Sequence, residues 1–156
     1  MGTIRIGTCV PGQATEKLLP HFVRAGFECV ALNFHMEFPE KDLPTYWEKV
    51  RPLLEGSPVK VSSIGFYCNA LENEGQRKTL EHFIDNAHLF GTDVVTTFAG
   101  ALEGQPVETA IPRYKEVFGE LARRALGRAG SSACRYETTI ESRISELTDG
   151  LLAACE

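Results

Sequence analysis

Residues 26–35 read GFECVALNFH, and this stretch contains one complete step of the pattern that organises the chain. Gly26 follows a segment of helical spacing, and a glycine there can take the left-handed conformation that ends a helix. Cys29–Phe34 is then a short apolar run, as expected of a strand that is covered on both faces. His35 follows at the carboxyl end of that strand. The stretch therefore predicts a helix end, a buried strand and a polar strand terminus, in that order.

The same step recurs along the chain. Further segments with strand character, the last of them weaker, are Ile4–Thr8, Val59–Phe66, Asp93–Phe98 and Ala133–Thr138. Segments of helical spacing lie between them, so the chain contains four to five β-α units. Strands that alternate with helices predict a parallel sheet with helical crossovers. An open doubly wound sheet and the first part of a (β/α)8 barrel both fit this order.

The segment after the first predicted strand separates these two architectures. A nucleotide-binding open sheet needs a glycine-rich phosphate loop at this point. Residues 7–13 read GTCVPGQ, which matches neither of the two phosphate-loop patterns. A barrel makes no such demand, and it places polar residues at the carboxyl ends of several strands. We therefore expect an α/β fold with a parallel sheet that forms part of a (β/α)8 TIM barrel.

Composition and charge argue against several classes of protein. The 156 residues have a formal net charge of −5, and the basic stripe that a nucleic-acid backbone requires is missing. No apolar run approaches the ~20 residues that cross a bilayer, and no secretory signal is recognisable. The five cysteines are odd in number and form no CxxC pair, which favours reduced thiols. We expect a cytoplasmic protein without a nucleic-acid or membrane partner.

Three stretches at the predicted strand ends resemble a known family. Gly26–His35, Ser62–Tyr67 and Thr97–Gly100 look like the corresponding parts of sugar phosphate isomerases/epimerases. These enzymes belong to the xylose isomerase-like (AP endonuclease family 2) TIM-barrel superfamily, which also contains the apurinic-site endonucleases. The resemblance covers Thr3–Ala125, the first four β-α units, and consists of several short matches in the right order.

The resemblance implies a (β/α)8 barrel of about 250 residues. Residues 1–156 would then be a single truncated domain, with a poorly matching segment at 126–156. Members of the superfamily typically hold a divalent metal ion (Mn, Mg, Co or Zn) with a Glu of a middle strand, followed by an Asp, a His and a second Glu from later strands. Glu137 is the candidate for the first of these ligands, and the others would lie beyond Glu156.

The same resemblance suggests roles for the residues at the strand ends. His35 would contact a sugar oxygen or move a proton, and a surface histidine is the alternative. Tyr67 would pack on a sugar face and Asn69 would pair with hydroxyl groups; core packing and turn formation are their rival roles. Glu137 would bind the metal and help in proton transfer, unless it is a solvated glutamate on an edge strand.

Three functions remain open from the sequence. The first is a sugar phosphate isomerase/epimerase with metal-assisted proton transfer next to a carbonyl of a sugar or keto-sugar, of which this chain alone would be inactive. The second is a non-catalytic half barrel completed by a partner, such as a second copy in a homo-oligomer, because a five-stranded piece leaves its edge strands unpaired. The third is an endonuclease-like phosphodiesterase, against which the acidic charge weighs.

Overall fold

The computed structural model describes residues 4–129, in which four strands alternate with four α-helices. The strands are β1 (Gly7–Pro11), β2 (Cys29–His35), β3 (Lys60–Tyr67) and β4 (Val95–Thr96). The helices are α1 (Thr15–Arg24), α2 (Leu43–Leu54), α3 (Glu74–Asn86) and α4 (Val107–Ala129). Short 3-10 turns cover Gly12–Ala14 and Ala87–Phe90.

The sheet is parallel throughout, and its strand order is β1-β2-β3-β4. Each strand thus lies beside the strand that precedes it in the chain, with a helix as the crossover. A doubly wound sheet reverses its order at a switch point, whereas a barrel continues in one direction, and the described strands do the latter. This confirms the predicted α/β fold and partial barrel. The fifth predicted strand, at 133–138, lies outside the described residues.

The first strand is the one whose predicted position was wrong. Strand character was assigned to Ile4–Thr8, but β1 begins at Gly7, and Ile4 and Ile6 are 92% and 68% exposed. Pairing with β2 decides the position, because Gly7 lies opposite Cys29 and Pro11 lies opposite Asn33. A Cβ atom at Gly7 would lie 2.5 Å from Cys29 Sγ, so glycine is needed at this close approach.

The sheet has two different faces. On the side covered by helices, which we call the core face, Leu32, Phe34, Ile64 and Phe66 are buried. The Phe34 ring contacts Phe38 and Tyr46 of the α2 region and Phe83 of α3, edge to face, at centroid distances of 4.9, 5.1 and 5.7 Å. The opposite side, the open face, carries the alternate residues of β2 and β3. The burial pattern of β2 changes from residue to residue accordingly.

Two capping side chains fix where the helices begin after β2 and β3. Asp42 accepts a hydrogen bond of 2.8 Å from Thr45 N–H, and this bond holds the pKa of the Asp42 carboxyl below its usual value. Asn73 accepts a bond of 2.9 Å from Gln76 N–H at the start of α3.

Of the helices between residues 4 and 129, none is long and apolar enough to cross a membrane.

Candidate functional site

The carboxyl ends of β2 and β3 meet in register at one rim of the sheet. His35 lies opposite Tyr67, and Met36 N–H donates a hydrogen bond of 2.9 Å to the Tyr67 carbonyl oxygen. Both side chains lie on the open face, because they are the immediate neighbours of Phe34 and Phe66, which point to the core face. The structure therefore brings together two of the residues that the sequence selected from strand ends.

Three rings form the surface of this rim. The rings of His35 and Tyr67 are stacked, with centroids 5.0 Å apart and planes 16° apart. Phe98, which follows β4, contacts the Tyr67 ring at 4.9 Å and the His35 ring at 6.2 Å. His35 is exposed, and the two other rings are half-buried. This aromatic rim, made of His35, Tyr67 and Phe98, places two half-buried rings, tilted by 55° to each other, beside an exposed imidazole.

Asn69 lies at the same end of the sheet, but its amide holds loops together. Its Nδ2 donates to Glu72 Oε2 at 3.0 Å and to the Ala101 carbonyl at 2.8 Å. Its Oδ1 accepts a bond of 3.3 Å from Ala101 N–H. These contacts are those of the turn-forming role, which was the alternative to substrate binding. Contact between Asn69 and a substrate stays a prediction.

Gln76 joins the two loops of the rim, and sequence reasoning missed it. Its Oε1 accepts a bond of 3.2 Å from Asn69 N–H, and its Nε2 donates to the Met36 carbonyl at 3.2 Å. Met36 has a φ of 58°, which is costly for a residue with a side chain. One amide therefore fixes the backbone next to His35 and near Tyr67. The spacing Asn73-x-x-Gln76 resembles a capping box and is the signal that marks this position.

Below the aromatic rim, two residues earlier along each strand, lies a polar floor made of Asn33, Gly65 and Thr96. The three residues are neighbours across β2, β3 and β4. Asn33 Oδ1 and Thr96 Oγ1 are both buried and have no hydrogen-bond partner among the described residues. Sequence reasoning did not select Asn33 or Thr96, because only the strand register brings them together with Gly65.

A groove beside the aromatic rim, of about 620 Å³, lies between the loop after β2 and the start of α3. Met36 and Gln76 line it on the side of the rim. Lys41 and Lys78 also line it, together with the acidic residues Glu40 and Asp42, and Lys78 pairs with Glu74 at 2.7 Å. The groove therefore carries charges of both signs.

The described residues do not fit a metal ion. Between residues 4 and 129 no three His, Cys, Asp or Glu side chains form a group that could hold one. Glu137, the predicted ligand and proton-transfer residue, lies outside the described residues. Of the described cysteines, Cys9 is exposed, Cys29 is partly buried and Cys68 is buried, and burial raises the pKa of the Cys68 thiol to about 11.

A comparison with known families shows the family of the chain. The profile of a family described as xylose isomerase-like TIM barrel matches residues 21–132, which is more than two thirds of the chain. The chain belongs to this family. The match contains β2, β3 and β4, and with them the aromatic rim and the polar floor. The resemblance noted in the sequence is thereby confirmed at the level of the family.

Solved structures of two xylose isomerase-like proteins agree with the fold. One is a xylose isomerase-like TIM barrel protein from Mycobacterium smegmatis in complex with magnesium, with a TM-score of 0.69 and 15% identity. The other is a xylose isomerase domain protein from Planctomyces limnophilus, with a TM-score of 0.67 and 14% identity. The chain is covered to 99% and 96%, but it spans only 62% and 59% of their lengths. No curated protein matches the chain.

Proposed function

We propose that this chain is part of a sugar or sugar phosphate isomerase/epimerase, which transfers a proton next to a carbonyl group. The observation that carries the proposal is the aromatic rim, where an exposed His35 stacks on Tyr67 at the carboxyl ends of parallel strands. In barrels of this kind the carboxyl ends of the strands form the active face. An imidazole at that place can hold a sugar oxygen or move a proton.

The surroundings of the rim suit a carbohydrate. Sugars present C–H groups on one face and hydroxyl groups at the edges, so they pack on rings and need polar partners beside them. The rings of Tyr67 and Phe98 supply the first, and the polar floor supplies the second. A phosphate group on the sugar would face the groove, where Lys41 is its candidate partner beside the acidic residues Glu40 and Asp42.

A divalent metal ion is part of the proposal, on the support of the magnesium-bound Mycobacterium smegmatis protein. Its ligands on this chain would have to come from outside residues 4–129, since the described residues do not fit one. Glu137 is our candidate for both metal binding and proton transfer. Because a single candidate carboxylate cannot complete such a site, we expect no turnover from the 156-residue chain alone.

We also propose that the protein lies in the cytoplasm, because its five cysteines are odd in number and form no CxxC pair.

Binding of sugars tests the proposal independently of turnover. The purified chain is titrated with a panel of aldoses, ketoses and their phosphate esters, while the ring resonances of His35 and Tyr67 are followed by NMR. At least one compound is expected to shift both rings saturably. The variant His35→Ala should weaken its binding about ten-fold or more, whereas His88→Ala, an exposed histidine after α3, should leave it unchanged. A panel without any saturable shift at these rings would overturn the proposal.

A half barrel completed by a partner is the second candidate, and the sheet edges favour it. Within residues 4–129, β1 and β4 each pair with one neighbouring strand, and the solved relatives are longer than this chain. A second copy could cover these edges. Sedimentation of the purified chain distinguishes the cases: a homodimer at micromolar concentration supports partner completion, and a monomer at all concentrations argues against it.

Endonuclease-like activity is the third candidate function, and a separate cleavage assay tests it. A duplex with one abasic site is incubated with the chain and Mg²⁺, and the products are separated on a gel. We expect no strand cleavage, because the net charge of −5 repels a phosphate backbone. Cleavage at the abasic site would assign the chain to that branch of the superfamily instead.

A further inference from the structure

The loop after β2, residues 36–42, forms one side of the groove, and side chains of α3 hold it at both ends. At the first end Gln76 Nε2 donates to the Met36 carbonyl at 3.2 Å. At the second end His82 Nε2 accepts a hydrogen bond of 3.2 Å from Leu43 N–H, where α2 begins. We call this contact between His82 and Leu43 the latch. The two attachments differ, because an imidazole can change its charge near neutral pH and a carboxamide cannot.

The latch requires the neutral form of the His82 ring. A backbone N–H can only donate, so Nε2 has to offer its lone pair to Leu43, and in a neutral imidazole Nδ1 then carries the hydrogen. Nδ1 lies 3.1 Å from the side-chain amide of Asn86, whose oxygen can accept that hydrogen after a half-turn of the amide. Both nitrogens of an imidazolium ion are donors, so a second proton breaks the bond to Leu43. Because Leu43 is buried, its N–H then loses its partner at a cost, and movement of the backbone toward water relieves that cost.

The charged groups around His82 decide where a protonated ring turns. Those that line the groove with it are Glu40, Lys41, Asp42 and Lys78. Most of the surrounding charges are already in ion pairs, which are Glu40 with Lys49, Lys78 with Glu74, and Glu81 and Asp85 with Arg124. The pKa of Asp42 is lowered first by its bond from Thr45 N–H and, in smaller part, by the charges of Lys41 and His82. Asp42 is therefore the anion that attracts a protonated His82 ring.

The middle of the loop has an anchor of its own, which limits what the latch controls. The Phe38 ring contacts those of Phe34 and Phe83 at centroid distances of 4.9 and 5.2 Å. The loop is thus attached at Met36, at Phe38 and at the latch. Residues 39–42, which carry the charged side of the groove, lie between the last two of these points. Loss of the latch therefore loosens these four residues and leaves the aromatic rim in place.

We propose that His82 is a proton-sensitive latch on the groove. When Nε2 takes up a proton from solvent, the hydrogen bond from Leu43 N–H is lost, the ring turns to the Asp42 carboxylate, and residues 39–42 move outward. Histidine is the side chain that ordinarily changes charge between about pH 5 and 8, so mildly acidic conditions open this end of the groove. The inference goes beyond the proposed function and does not rest on it, because it concerns the groove and not the rings of the rim.

Amide hydrogen exchange of the full chain tests the latch, with the protection at each pH expressed relative to an unstructured peptide. Between about pH 7.5 and about pH 5 the protection of Leu43 N–H should fall about ten-fold or more, because its hydrogen bond is lost. Thr45 N–H is the internal control and should stay protected, since the lowered pKa of Asp42 keeps its carboxylate ionised over this range. The ¹⁵N shifts of the His82 ring give a second measurement without any variant: at neutral pH, Nε2 should be the nitrogen that carries no hydrogen.

Three variants identify the group that responds to pH. His82→Gln takes up no proton, so the protection of Leu43 should no longer depend on pH, and His82→Ala should lower it at every pH. His88→Gln, at an exposed histidine after α3, is the matched control and should keep the pH dependence of the wild type.

Four results would overturn the latch. They are unchanged protection of Leu43 in the wild type, an equal fall in His82→Gln, full protection in His82→Ala, and a hydrogen on Nε2 at neutral pH. A fall that extends equally to Thr45 N–H would also overturn it, because α2 as a whole would then be opening. The sugar titration of the aromatic rim at neutral pH is independent of these outcomes, so the latch and the proposed function can fail separately.

Discussion

The two faces of β2 and β3 carry different kinds of residue, although successive residues of each strand point to the two faces in turn. On the core face Phe34, Ile64 and Phe66 are closed to solvent, and the rings of Phe34 and Phe66 contact the Phe83 ring of α3. On the open face Asn33 and Gly65 lie below the exposed ring of His35, and Asn33 Oδ1 has no hydrogen-bond partner among the described residues. One step along a strand thus separates the residues that stabilise the fold from those that offer a site. Substitutions on the two faces should therefore have different effects.

The largest effect is expected on the core face. Phe34 is 1% exposed and contacts three other rings, so Phe34→Ala removes a large buried side chain and leaves a cavity. We expect a loss of about 3–5 kcal/mol in the free energy of unfolding, measured by urea denaturation. Phe98→Ala, a half-buried ring of the open face, is the control and should lose less than half as much. Equal losses would remove the distinction between the faces.

A buried hydrogen bond of the core face comes next. The hydroxyl groups of Tyr46 and Thr15 lie 2.7 Å apart, and Tyr46→Phe should cost about 1–2 kcal/mol by leaving Thr15 with one partner fewer. Burial raises the pKa of Tyr46 to about 12, from about 10 in the unfolded chain. The unfolded state therefore ionises first, so the wild type loses stability as the pH rises from about 10 to about 12. Tyr46→Phe should lose less over that window, as urea titrations at a series of pH values would show, and parallel pH profiles would contradict the assignment.

Gln76 joins the two loops of the rim, so its substitution should change stability by an intermediate amount and should also move the rings of the rim. Gln76→Ala removes the bonds to Asn69 N–H and to the Met36 carbonyl, which should cost about 1 kcal/mol. The chemical shifts of the His35 and Tyr67 rings should change as well, because their backbones lose a common anchor. Gln13→Ala, at an exposed glutamine, is the control and should change neither. Unchanged ring shifts in Gln76→Ala would show that the rim is fixed by other contacts.

The smallest effect on stability is expected at His35. Its side chain is exposed, so His35→Ala should change the free energy of unfolding by no more than about 0.5 kcal/mol. Circular dichroism melts in urea measure this change. A residue of the core would not tolerate truncation in this way, so a loss above about 2 kcal/mol would mean that His35 supports the fold rather than a site.

The sequence predicted the strands with unequal success, for a physical reason. Two strands were predicted to within one residue at each end, as Cys29–Phe34 for β2 and Val59–Phe66 for β3. They were easy to locate because glycines and apolar runs mark them locally. The first strand was placed three residues early, because the apolar character of Ile4 and Ile6 carries no information about the pairing with β2. Predicted strand 93–98 shortens to Val95–Thr96, where β3 offers two partners.

The candidate site was predicted where it depends on strand ends and missed where it depends on register. His35 and Tyr67 were found because each closes an apolar run, and parallel strands bring such ends together. The polar floor needs the alignment of three strands, and the contact of Gln76 with Met36 spans 40 residues along the chain. Neither the polar floor nor the contact of Gln76 is predicted by a local sequence pattern. The roles of His35, Tyr67, Asn69 and Glu137 stay predictions.

Contact between a carbohydrate and the aromatic rim is the claim on which the account depends. The most direct measurement is an isotope-filtered NOESY spectrum of the ¹³C-labelled chain with the best unlabelled sugar or sugar phosphate of the panel. We predict cross-peaks from the C–H protons of the sugar to the rings of His35 and Tyr67, and none to Phe34 on the core face. Cross-peaks to other parts of the surface, with none at these two rings, would contradict the account.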